Sequence, residues 1–160
     1  MQKYRYFNKY AGRQINVINF KQSLLSFLDN GTEYLIGLIP TILQDLEALR
    51  DIIANLTSLR WYASSLLLIY DGKPPHRVKI KMVDFSNCVS NADFLFENPD
   101  KVNFPPTKKG ADLGYILGLS TLISHFEEIR NDFKHLANED GNVSIKRLSN
   151  TQRINATMGL

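Results

Sequence analysis

Asp84 closes the run Val78-Lys79-Ile80-Lys81-Met82-Val83 and is followed by Phe85, Ser86 and Asn87. A carboxylate placed where extended chain gives way to a bend can hold a hard cation such as Mg²⁺ against phosphate oxygens. The same side chain can instead cap a turn at the strand end. A second set of candidate groups lies in Asn8-Lys9-Tyr10-Ala11-Gly12-Arg13. Spacing alone leaves Lys9 and Arg13 open between a solvated basic turn and a pair of cations for an anionic ligand. Lys79 and Lys81 share one face of their strand, as a basic wall or as a solvated strand face. His76, His125 and His135 have no metal-ligand spacing, and Cys88 has no partner for nucleophilic catalysis. A G-x-x-x-x-G-K phosphate loop does not occur in the sequence.

Two strands are expected to position Asp84. Residues 64–72, Ser-Ser-Leu-Leu-Leu-Ile-Tyr-Asp-Gly, are almost wholly apolar, which predicts a strand covered on both faces. Residues 78–87 alternate in their first half, Val78, Ile80 and Met82 against Lys79, Lys81 and Val83, which predicts one wet face. Asp71-Gly72-Lys73-Pro74-Pro75-His76 between them is a turn by composition, so the pair forms a β-hairpin. Around it, a short strand is expected near residues 4–6. A helix should start at Asn16 or Asn19, carry Val17, Phe20, Leu24, Phe27 and Leu28, and stop at Asn30-Gly31. A second helix should run from Tyr34 or Thr41 to about Arg60, on the stripe Leu43, Leu46, Leu49, Ile53, Leu56 and Leu59, with Pro40 in its first turn. Residues 88–110 read as a long loop. Asp112 should cap a third helix in which Gly114 and Gly118 mark close approach to another backbone. Residues 138–160 read as a polar tail with a short strand at 143–145.

The bulk properties are those of a globular chain of one domain or a piece of one: 160 residues, 44% hydrophobic and 22% charged. A formal charge of +3 is too mild to imply nucleic acid. The one cysteine rules out an internal disulfide, and the N-terminus has no secretory pattern, so an intracellular site, in the cytoplasm or nucleus, is expected. The most apolar segment, 35–46, is interrupted by Pro40, Gln44 and Asp45, so no membrane partner is expected.

The order of the pieces adds more. Ser64-Ser65-Leu66-Leu67, then Val83-Asp84-Phe85-Ser86-Asn87, then the segment 112–123, Asp-Leu-Gly-Tyr-Ile-Leu-Gly-Leu-Ser-Thr-Leu-Ile, resembles the C-terminal half of the inositol polyphosphate kinase family. That family carries an S-S-L-L strand, an I-D-F-A-H type motif and a D-x-G/N-x-x-x-G-x-x-x-L-I/L helix. The segment 8–13 is similar to its N/D-K-x-x-G-R. The matches span roughly residues 4–133. The resemblance implies phosphoryl transfer from ATP to an inositol polyphosphate, with Mg²⁺ as the metal. It implies Asp84 as metal ligand and Ser65 lining the nucleotide and metal cleft. It further implies Lys9, Arg13 and Asn87 facing the substrate. Ser65 can also be read as a small residue permitting close strand packing, and Asn87 as a turn residue. Two departures stand out. The family's hallmark P-x-x-x-D-x-K-x-G does not occur in these residues, and Asn87 stands where the family has histidine, an amide that can donate but not gain charge.

The chain is therefore expected to form the back half of such a kinase, as a fragment, truncated gene model or natural remnant, with residues 1–136 as partial C-terminal lobe and 137–160 as tail. The expected fold is α+β, a small antiparallel sheet centred on the hairpin with three main helices. An exposed apolar patch is expected where a further lobe would dock. The alternative is a non-catalytic, kinase-like domain that acts through binding.

Overall fold

Asn8 opens the first helix. In the computed structural model, which describes residues 6–90 and 110–134 and the backbone of 144–146, its side chain accepts from the amides of Tyr10 and Ala11 and caps α1 (Lys9–Arg13). The segment expected as a basic turn is thus a short helix, because an asparagine at its start satisfies two otherwise orphaned N–H groups. The expected strand near residues 4–6 falls mostly outside the described residues; Tyr6 itself is irregular and exposed.

The chain divides into two compact units, residues 1–39 with 126–160, and residues 40–125. In the first, α2 (Phe20–Phe27) begins later than its apolar spacing suggests, and Val17 is 90% exposed. The reason is local. Asn16 Oδ1 accepts from the amide of Ile18, and Asn19 Oδ1 from that of Asn16, so the two asparagines hold a turn that competes with helix. Gly31, at φ 96°, turns the chain after α2 into β1 (Glu33–Leu35), where Asn30 Oδ1 accepts from the amides of Thr32 and Glu33. β1 pairs antiparallel with β6 (Ser144–Lys146), Tyr34 opposite Ile145, so the segment read as a tail contributes a strand one residue from its expected place. Leu28, Ile36, Ile39, Phe126 and Ile129 are fully or almost fully buried in this unit.

Lys21 joins α2 to the end of the last helix, reaching Asp132 at 2.9 Å and Glu128 at 3.3 Å. The hydrogen bond to Asp132 raises the Lys21 ammonium above its ordinary value, with Glu128 adding to it. All three side chains are well exposed, so Lys21→Ala should cost no more than about 1 kcal/mol, and less in high salt. A raised folded value means the contribution is complete below the unfolded lysine value and lost as pH rises through the folded one. Urea midpoints at low and high salt, near neutral pH and above pH ~10.5, check both statements.

In the second unit, α3 (Ile39–Asn55) buries Ile42, Leu43, Leu46 and Ile53 and exposes Asp45, Glu47 and Asp51. Its first turn contains Pro40 as expected, but it ends before Leu56. Thr57 and Ser58 are poor helix formers, and residues 59–61 find a better use as β2 (Leu59–Trp61), paired antiparallel with β5 (Cys88–Ser90). The loop expected over 88–110 therefore begins with a strand; residues 91–109 lie outside the described set.

The hairpin is present, with β3 (Ser65–Tyr70) and β4 (Val78–Val83) antiparallel over six residue pairs. Asp71 N–H donates to the Arg77 carbonyl and closes its loop. β4 alternates as expected, but β3 is not covered on both faces. Leu66, Leu68 and Tyr70 are half-buried, whereas Leu67 is 46% and Ile69 47% exposed. The apolar run records a strand but not its partners. Among the described residues β3 has β4 as its only ladder neighbour, and one face stays open.

Asp112 precedes α4 (Leu113–Phe133) and caps it, accepting from the Tyr115 amide at 3.0 Å. Leu119 and Ile123 of this helix are buried in the second unit. The glycines do not mark close backbone contact. Among the described residues, a methyl group built at Gly118 meets nothing within 4 Å, and at Gly114 it meets only Asp112 Oδ1 at 3.4 Å. Leu113 and Leu117 beside them are exposed, so this side of the helix is open rather than packed. The fold is α+β as expected, with three two-stranded antiparallel ladders instead of one sheet, and four helices among the described residues.

Candidate functional site

Asp84 stands one residue beyond β4, exposed, with φ at 63°. A non-glycine residue rarely adopts this left-handed conformation, although Asp and Asn tolerate it best. It turns the chain sharply out of the ladder. Ser86 Oγ donates to Asp84 Oδ1 at 2.8 Å, and Asn87 Nδ2 donates to Ser86 Oγ at 3.4 Å. Asp84, Ser86 and Asn87 thus form one exposed polar cluster, and the Asp84 carboxylate retains acceptor capacity towards solvent.

Ser65 is brought to the same place from the other strand. It lies directly opposite Val83, the residue before Asp84, so Ser65, Val83, Leu67 and Ile69 share the open face of the hairpin. Among the described residues no group of three or more His, Cys, Asp or Glu side chains is arranged to hold a metal. A single exposed carboxylate suits Mg²⁺ nonetheless, because that ion keeps several waters and is completed by substrate phosphates.

The turn carrying Asp84 is braced from behind. Phe85 packs edge-on against Trp61, ring centres 5.9 Å apart, and its carbonyl accepts from the Cys88 amide. Cys88 pairs with Trp61 across the β2–β5 ladder. The Trp61 amide donates to Asp112 Oδ2 at 2.9 Å, and Ser64 Oγ donates to the Trp61 carbonyl at 3.0 Å. Asp112 therefore serves two elements at once, one carboxylate oxygen for the helix and one for the strand. Arg60, 9% exposed, adds a second tie by donating from Nη1 to the Gly110 carbonyl at 2.8 Å. Burial pushes the Cys88 thiol up, and the negative charges of Asp84 and Asp112 push it further. Burial likewise raises the Tyr115 phenol, with the Ser64 hydroxyl drawing it partly back. Cys88 is thus a poor nucleophile in its setting and belongs to the scaffold. The double role of Asp112 in the scaffold is one that its letters do not signal, since they mark only a helix cap.

Lys9 and Arg13 are both exposed on α1, in the first unit. Four residues apart on a helix, they project from one side of it. The Lys9 ammonium also lies 5.3 Å from the Tyr10 ring centre. Ser65, Asp84 and Asn87 are in the second unit.

This strand-end acid and its neighbours fall inside a stretch that known proteins share. The family profile described as inositol polyphosphate kinase matches residues 1–127. The chain is similar to inositol hexakisphosphate kinase 3 of Mus musculus, at 34% identity over 139 residues, covering 77% of this chain and 33% of that protein. It is 36% identical over 154 residues to an uncharacterized inositol polyphosphate kinase of Schizosaccharomyces pombe, covering 84% of this chain and 16% of that one. It is 36% identical over 128 residues to inositol hexakisphosphate kinase 1 of Saccharomyces cerevisiae, covering 72% of this chain and 12% of that one. The chain thus spans a third or less of the length of these three relatives. With four-fifths of its residues inside the family profile and its hairpin, strand-end aspartate and capped helix in the order sequence reading expected, the chain belongs to the inositol polyphosphate kinase family.

Proposed function

We propose that the chain carries the metal- and nucleotide-facing part of a kinase that transfers the terminal phosphoryl group of ATP to an inositol polyphosphate. The observation that supports this most is the exposed Asp84 carboxylate, held in a left-handed turn at the end of β4 beside an open strand face. Phosphoryl transfer asks a protein mainly to position groups and neutralise charge. Asp84 supplies the ligand for Mg²⁺, which when bound offsets charge on the transferred phosphate. Ser65 and Val83 floor the nucleotide side of the cleft, hydroxyl beside apolar contact. Asn87 donates to a substrate phosphate from the same cluster. Lys9 and Arg13 neutralise further phosphates, Arg13 through its planar fork. The setting is the cytoplasm or nucleus, where ATP and a reduced cysteine coexist.

Asn87 stands at the position where the resemblance places a histidine, an amide that can donate but not gain charge, which favours a second reading, a kinase-like domain that binds without turnover. One experiment separates the two. The chain, and a fusion in which a relative's hallmark-bearing segment precedes residue 1, are incubated with Mg²⁺, labelled ATP and an inositol polyphosphate. The chain alone should label nothing, and the fusion should transfer phosphate. A folded fusion that binds nucleotide and transfers none to any inositol polyphosphate would leave the binding reading standing instead.

A further inference from the structure

The outer part of the hairpin has a charge pattern that phosphoryl transfer does not use. Between Ser65 and Val83 lie four cations, Lys73, Arg77, Lys79 and Lys81, and one acid, Asp71, so this element alone holds an excess of +3, equal to that of the whole chain. All four cations are exposed. Among the described residues none of the four forms an ion pair, and Asp71, near Arg77 at the loop entrance, forms none either. Register sets Lys81 opposite Leu67 and Lys79 opposite Ile69, so two half-exposed aliphatic side chains alternate with two ammonium groups on one open face.

This interleaving selects a partner. Nucleic acid would call for aromatic side chains to stack on bases, and this face has none. A soluble polyphosphate would gain nothing from the exposed leucine and isoleucine. A bilayer bearing anionic headgroups satisfies both halves: aliphatic side chains enter the headgroup–acyl boundary while lysines extend past them to phosphates. We propose that the face formed by Leu67, Ile69, Lys79 and Lys81, with Lys73 and Arg77 at its tip, docks on an anionic lipid surface. The contact is made from one side and needs no spanning segment. It departs from the expectation of no membrane partner, which rested on the lack of a spanning apolar run.

Co-sedimentation of the chain with vesicles of phosphatidylserine in phosphatidylcholine, against pure phosphatidylcholine, tests it. Each cation near an anionic surface multiplies partitioning about fivefold, so the Lys79→Ala/Lys81→Ala variant should bind about 25-fold more weakly. Leu67→Ser/Ile69→Ser should also weaken binding; equal urea midpoints for the lysine variant and the parent chain guard against misfolding. Inositol hexakisphosphate added as a soluble competitor should displace the chain only at concentrations that screen charge generally. Equal binding to neutral and anionic vesicles, or none to either, overturns the proposal. So does binding that needs Leu67 and Ile69 but neither the lysines nor phosphatidylserine, which would mark the face as an apolar seat for protein. Tight, lysine-dependent capture of the soluble competitor would overturn it in favour of a free polyanion.

Discussion

Asp84→Asn is expected to weaken Mg²⁺-dependent binding of ATP by about 100-fold or more while leaving the fold intact. The substitution is well suited to the question. Asparagine tolerates the left-handed backbone at φ 63° about as well as aspartate, so the turn out of β4 is not strained further. The amide oxygen can still accept from Ser86 Oγ, which now reaches a carboxylate oxygen at 2.8 Å. What is removed is the negative charge that a hard divalent cation requires. The site is exposed, so the unfolding free energy should change by no more than about 0.5 kcal/mol. Isothermal titration with ATP, with and without Mg²⁺, reads the first number, and a urea curve reads the second. Asp84→Ala would be a poorer probe, because it adds backbone strain to the loss of charge.

The second large effect concerns stability. Asp112 accepts from the Tyr115 amide with one oxygen and from the Trp61 amide with the other. Removing the cap costs about 1 kcal/mol. Stranding the part-buried Trp61 N–H costs about 1–3 kcal/mol more. Asp112→Ala should therefore destabilise the chain by about 2–4 kcal/mol. Asp112→Asn retains one acceptor oxygen and should recover about half of that. Chemical denaturation of the three forms checks the order. An Asp112→Ala variant as stable as the parent would mean that the β2–β5 ladder and α4 are not tied through this carboxylate.

What the letters conveyed depended on how local the determinant was. The hairpin was legible because Gly72, Pro74 and Pro75 interrupt two strand-like runs, and α4 because Asp112 precedes a long apolar periodicity. Asp84 was legible as a candidate because a charge ends an apolar alternation. Three features were not, and each depends on a distant partner. Leu59 to Trp61 continues a helical stripe in sequence, and only pairing with residues 88–90 makes it a strand. Residues 65–70 read as doubly covered because a run of leucines records apolarity, not what lies above it. Gly114 and Gly118 read as contact points because spacing cannot reveal that the space beside them is open. Of the two starts offered for α2 the later one holds, with Asn19 at the N-cap position. What spacing did not convey is that the side chains of Asn16 and Asn19 accept from each other's amide and hold a turn before the helix, in place of a side-chain cap.

The central claim is that a nucleotide-bound divalent metal sits at Asp84, and paramagnetic NMR addresses it without need of turnover. Mn²⁺ with a non-hydrolysable ATP analogue, titrated into the isotopically labelled chain, should broaden the amides of Val83, Asp84, Phe85 and Ser65 first. Asp84→Asn should remove that broadening at the same concentrations. Early broadening centred elsewhere, or an unchanged pattern in the Asp84→Asn chain, would contradict the account.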